Sequence, residues 1–115
     1  MGVECVIEKA GDGRHYAKKG EVVSIHYTLK LRNEDGKLID TTYGRDAPFT
    51  FKVGSGQVVR GWDEVVTQLS VGERARCTIP ADLAYGAKGF PGLIPPNTSM
   101  YVELELLSIT TPDLE

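Results

Sequence analysis

The chain has 115 residues, 41% hydrophobic and 25% charged, with a net charge of −3 and a pI near 5.4. That length is one domain's worth, 1–115, large enough for a real core and too small for a second. The mildly acidic balance gives no electrostatic grounds for binding nucleic acid or an anionic membrane, and no apolar run approaches the roughly 18 residues that span a bilayer.

In chain order, the opening Met1-Gly2-Val3-Glu4-Cys5 lacks the basic-then-apolar order of a signal peptide, so export is not expected and a cytoplasmic location is. Gly2 is no myristoylation site, because Val6 stands where Ser or Thr is required. Val3, Cys5 and Ile7 alternate as in a strand. From Val23, the residues Val23, Ile25, Tyr27, Leu29 and Leu31 point one way, and Ser24, His26, Thr28, Lys30 and Arg32 point the other. A short strand near Lys37 to Asp40 follows, and then Phe49, Phe51 and Val53 alternate. Val58, Trp62, Val65 or Val66, and Leu69 change to spacings of three and four, which predicts one short helix stopped near Gly72. Period two returns at Ala75, Cys77 and Ile79 and at Val102, Leu104 and Leu106. Turns are expected at Gly11-Asp12-Gly13, at Asn33 to Gly36, at Gly54-Ser55-Gly56 and along the proline- and glycine-rich stretch Gly86 to Pro96. The tail from Thr110 is expected to fray. One helix cannot cover both faces of a sheet, so the pattern predicts an α+β domain with an antiparallel sheet curled over the helix.

The chain offers little for covalent chemistry. Cys5 and Cys77 show no CxxC or zinc spacing and are read as two small buried thiols, although a pairing under oxidation stays open if their strands are neighbours. His26 lies in the polar half of its alternation and reads as a surface or edge histidine. There is no HExxH, P-loop or GxGxxG, and neither a metal nor a cofactor is expected.

Several segments carry a more specific signal: Val58-Val59-Arg60-Gly61-Trp62-Asp63-Glu64, Leu83-Ala84-Tyr85-Gly86, and Phe90-Pro91-Gly92-Leu93-Ile94-Pro95-Pro96. With His26-Tyr27-Thr28, Asp35-Gly36-Lys37, Pro48-Phe49, Ser70 to Ala75 and Glu105-Leu106-Leu107, they closely resemble the FK506-binding-protein (FKBP) family of peptidyl-prolyl cis-trans isomerases. The match covers nearly the whole chain in the order of a minimal member. It implies a twisted antiparallel sheet of about five to six strands wrapped around one short helix. It also implies an enzyme that accelerates rotation about X-Pro bonds in proteins and that binds macrolides such as FK506 and rapamycin in the same pocket.

By that resemblance Trp62 is the floor on which a proline ring rests, with Tyr27, Phe49, Val58 and Val59 as walls. Tyr85 would donate its hydroxyl to a substrate carbonyl, the backbone N–H of Ile94 would donate to a second, and Asp40 would orient Tyr27 or a ligand group. Phe90, Leu93 and Ile94 would line the rim and read the residue before proline; Gln57 joins the ligand-binding set. Taken alone, a lone tryptophan is more often a core anchor, a tyrosine in a Gly-rich loop a turn residue, and an Asp before Thr41-Thr42 a solvated one. The surrounding motifs shift each of these toward a pocket.

Two positions where the family commonly carries phenylalanine hold Ile39 and Val102, and Leu29 replaces a familiar glycine. The loss of two aromatic rings at Ile39 and Val102 predicts a wider, less aromatic hole, with retained activity, altered substrate preference and weaker macrolide binding. The rival reading is a catalytically weak protein-binding module on the same fold. The resemblance further implies calcineurin or TOR kinase as partners of the drug-bound form. The X-Pro bonds of Gly86 to Pro96 suggest weak self-association of an otherwise monomeric chain.

Overall fold

A computed structural model describes residues 2–45 and 47–111. Strands β1 (Glu4–Lys9), β2 (Val22–Leu31), β3 (Leu38–Thr41) and β4 (Phe49–Lys52) precede helix α1 (Arg60–Gln68). Strand β5 (Arg74–Ile79), a single 3₁₀ turn at Ala81–Leu83 and the long β6 (Met100–Thr110) complete the described elements. All pairings are antiparallel, in the order β1-β5-β6-β2-β3, with β4 on the first half of β2 and β3 on its second half.

The alternation in β2 decides which face is dry. Val23, Ile25, Tyr27, Leu29 and Leu31 are all buried, and the residues between them are half-exposed. They join Ala75, Cys77 and Ile79 of β5 and Met100, Val102, Leu104 and Leu106 of β6 in one core. Trp62, Val65, Val66 and Leu69 close that core from the helix side, as the spacing of three and four requires. The helix starts two residues later than its apolar spacing begins. After a bend at Val58, Val59 runs into it as extended chain, at φ −64° and ψ 153°.

Two expectations are corrected. The sheet order sets β1 against β5 with Cys5 directly opposite Cys77, Cα to Cα 4.1 Å, and the pair is joined in a disulfide. They are therefore not two separate thiols. The strand pairing, which no local pattern announces, brings together residues 72 apart. The tail is ordered further than expected: Thr110 ends β6, and the Thr111 hydroxyl donates to Glu21 Oε2 at 2.7 Å. The rest of the expected frayed tail, 112–115, lies outside the described residues.

Candidate functional site

A cleft of about 210 Å³ opens between β2, β3, the entry to α1 and the loop after the 3₁₀ turn. It gathers Tyr27, Ile39, Asp40, Phe49, Gln57, Val58, Val59, Trp62, Tyr85 and Ile94, and adds Leu29, which sequence reasoning did not place there. Three aromatic rings make its wall. Tyr27 meets Trp62 edge-on at 4.6 Å, and Phe49 stands edge-on to both, at 6.0 Å from Tyr27 and 6.2 Å from Trp62. Such T-shaped contacts fix ring positions against one another. Phe49 and Phe51 share one face of β4 with their rings stacked at 5.7 Å; Phe49, at the start of the strand, is half-buried and lines the cleft, and Phe51 is buried in the core.

The polar groups are few and mostly committed. Asp40 Oδ2 accepts from the Tyr27 hydroxyl at 2.5 Å, and Oδ1 accepts from the Thr41 N–H at 2.8 Å and faces Arg45 Nη1 at 3.4 Å. Burial first, and the Asp40 carboxylate second, push the Tyr27 phenol up to about 12. Gln57 closes the turn after β4, its Oε1 accepting from the Lys52 N–H at 2.7 Å and from the Ser55 hydroxyl at 3.1 Å.

Tyr85 differs from these. Its hydroxyl bonds to no described residue, its ring is 36% exposed, and burial raises its pKa, so it stays a proton donor. The backbone N–H expected as a second donor is already paired. The Ile94 N–H donates to Phe90 O at 2.8 Å, and the Phe90 N–H returns a bond to Ile94 O at 2.8 Å, so this small loop ladder already uses it. The Val59 N–H, by contrast, has no partner among the described residues, because Val59 is the N-cap of α1 and no preceding helical turn offers it a carbonyl. An uncapped helix start preceded by extended chain was the available signal.

Three of the expected ligand-binding residues do not line the cleft. Phe90 is 50% exposed and stacks on Tyr85 with centroids 5.9 Å apart, and Leu93 is also exposed on the loop. Val102 is fully buried, directly opposite Leu29 in the β2–β6 ladder. Val102 is therefore corrected as a cleft-lining residue: its cross-strand neighbour Leu29 lines the cleft and Val102 does not.

No cleft-lining residue is a histidine, cysteine, serine or lysine, and among the described residues no group of three or more His, Cys, Asp or Glu could hold a metal ion. Apolar walls with uncommitted donors at the edge, and no nucleophile paired with a base, define a class of protein that seats an apolar ring and orients the amide around it without forming bonds. Residues 13–107 match the family described as FKBP-type peptidyl-prolyl cis-trans isomerase. The chain belongs to that family and is an isomerase of this type. It is similar to the peptidyl-prolyl cis-trans isomerase Fkbp12 of Drosophila melanogaster, at 48% identity over 95% of this chain and 99% of that one. It is 48% identical to peptidyl-prolyl cis-trans isomerase FKBP1A of Xenopus laevis over the same shares, and 50% identical to FK506-binding protein 1 of Saccharomyces cerevisiae over 86% of this chain and 85% of that one. Among the described residues, no helix is long and apolar enough to cross a membrane.

Proposed function

We propose that this isomerase works in the Trp62 cleft, with the proline ring of an X-Pro substrate seated against Trp62, Tyr27 and Phe49. The observation that carries this reading is the coincidence, in one apolar cleft, of three mutually packed rings with two uncommitted donors, the Tyr85 hydroxyl and the Val59 N–H. Rotation about X-Pro must give up amide resonance across a barrier of about 18–20 kcal/mol. The planar amide is the more charge-separated form, so an apolar surround disfavours it more than the twisted one. Donors at the edge hold neighbouring carbonyls while the X-Pro bond turns, which supplies orientation without stabilising the planar state. Asp40 holds Tyr27 in place and transfers no proton.

The same cleft is proposed to bind macrolides such as FK506 and rapamycin, in line with the names of the relatives. With Ile39 and Leu29 at its base, we expect affinity below that of a more aromatic pocket. Tyr85, Phe90 and Leu93 form an exposed apolar rim beside the cleft, a suitable surface for a partner such as calcineurin or TOR kinase when a drug is bound. A cytoplasmic monomer, with weak self-association through the X-Pro bonds of 86–96, completes the proposal.

The test is cis-to-trans exchange of a Leu-Pro or Phe-Pro peptide measured by exchange NMR. Acceleration that rapamycin inhibits and that falls by about a hundredfold or more in Trp62→Ala is expected. Tyr85→Phe should lose about two- to tenfold, the worth of one hydrogen bond. Unaltered acceleration in a folded Trp62→Ala protein would move the activity elsewhere.

A further inference from the structure

We infer that Leu29 is the residue that sets the depth of the proline seat, and so decides which ring substituents the enzyme accepts; this rests on the reading of the cleft given above. The argument comes from a row of directly paired residues crossing the sheet. Asp40 on β3 pairs with Leu29 on β2, Leu29 with Val102 on β6, Val102 with Cys77 on β5, and Cys77 with Cys5 on β1. Asp40 and Leu29 line the cleft, whereas the next residue in the row, Val102, is 0% exposed and does not. The cleft therefore stops within the width of one residue, over Leu29.

Leu29 also shares its face of β2 with Tyr27, whose ring packs edge-on against Trp62. A ring placed against that aromatic wall has Leu29 beside it at the sheet end of the cleft. The side chain is only 6% exposed and rests against a fully buried neighbour, so it has little room to retreat when a bulkier ring enters. An added carbon on the proline ring meets Leu29 rather than water. In a hydrophobic pocket one such carbon changes discrimination by about 10- to 200-fold. Shortening Leu29 uncovers Val102 and gives that carbon a place.

The experiment compares kcat/KM for a Leu-Pro peptide with that for the same peptide carrying 4-methylproline, each referred to its own uncatalysed rate. Wild type should prefer proline by about tenfold or more. In Leu29→Ala the ratio should shift toward 4-methylproline by at least about tenfold, and in Leu29→Val, which keeps a strand-forming side chain if Ala disturbs folding, by a smaller amount in the same direction. Val23→Ala, a fully buried truncation at the far end of β2 that does not line the cleft, should lower stability and leave the ratio unchanged. An unchanged ratio in folded Leu29 variants that still accelerate both peptides would overturn the inference while leaving the cleft assignment intact. If wild type accelerates neither peptide, the cleft assignment itself fails, and the inference with it.

Discussion

The Tyr27 hydroxyl donates to Asp40 Oδ2 at 2.5 Å across the adjoining strands β2 and β3, so one wall ring of the cleft is held by a carboxylate at its edge. The burial of this phenol, together with that bond, makes stability depend on alkaline pH. Tyr27 titrates near 10 in an unfolded chain and is pushed up to about 12 in the fold by burial, then by Asp40, with Arg45 opposing. Between those values the native state keeps a proton that the unfolded state has lost. The contribution is therefore full below pH 10 and is lost as pH rises through about 12. Tyr27→Phe should flatten the fall of the unfolding midpoint across this window. Some slope should remain, because Tyr101 is likewise raised to about 12, by burial and by its bond to Glu103. Superimposable wild-type and variant curves from pH 9 to 12 would contradict this account.

Thr42 holds the backbone beneath that ring. It is 1% exposed, its Oγ1 accepts the Tyr27 N–H at 2.8 Å and lies 2.9 Å from His26 Nδ1, and its own N–H donates to Tyr27 O at 3.0 Å. Thr42→Val keeps the shape and removes the acceptor. Leaving the buried Tyr27 N–H unpaired should cost about 1–3 kcal/mol in urea unfolding. A change within a few tenths of a kcal/mol would mean that another acceptor takes over.

Gly61 opposes a helix rule to a packing rule. Alanine inside a helix is better than glycine by about 1 kcal/mol, yet a Cβ at Gly61 would collide with Ile79 Cγ2 and reach Leu83 O at 3.0 Å. Both neighbours are buried, so the clash term of about 1–3 kcal/mol should win. Gly61→Ala is expected to be less stable than wild type and, by displacing the adjacent Trp62, to raise KM. A more stable variant with wild-type KM would show that Ile79 yields freely.

The strands and the helix were legible because burying one face of each imposes periods of two and of about 3.6, and every buried position of β2 was marked that way. Which strands adjoin was not legible from pattern, since alternation in β1 and β5 is satisfied equally by any neighbour. The cross-sheet pairing of Cys5 with Cys77 therefore emerged only from the fold. The aromatic wall was legible through motif resemblance. The place of Leu29 in the lining was not, because that depends on its lying opposite Val102 across the β2–β6 ladder, a pairing no local pattern announces. That the Ile94 N–H is already bonded was hidden for a similar reason: whether an N–H is free depends on where its loop closes, and Ile94 closes on Phe90.

The Cys5–Cys77 disulfide fastens an edge. Among the described residues β1 pairs within the sheet only with β5, and its Val6 and Ile7 are about half exposed, so the strand gains little from burial. A bond between residues 72 apart restricts the unfolded chain strongly, worth about 2–4 kcal/mol, or on the order of 10–20 °C in unfolding midpoint for a domain of this size. Cys77 is 1% exposed and Cys5 is half-buried, so an exchanging thiolate should attack at Cys5 first. Excess dithiothreitol, which leaves the pair as two thiols and itself as a cyclic disulfide, should lower the midpoint by that amount. Cys5→Ser should lower it similarly and make the protein insensitive to the reductant. No residue of β1 lines the cleft, so prolyl isomerisation at 25 °C should persist in the reduced protein. Equal midpoints with and without reductant, with both thiols shown by alkylation to be free, would mean that the β1–β5 ladder alone holds the edge. Lost activity in a reduced but folded protein would instead show that loosening Cys77 reaches Val102 and, through it, the floor at Leu29.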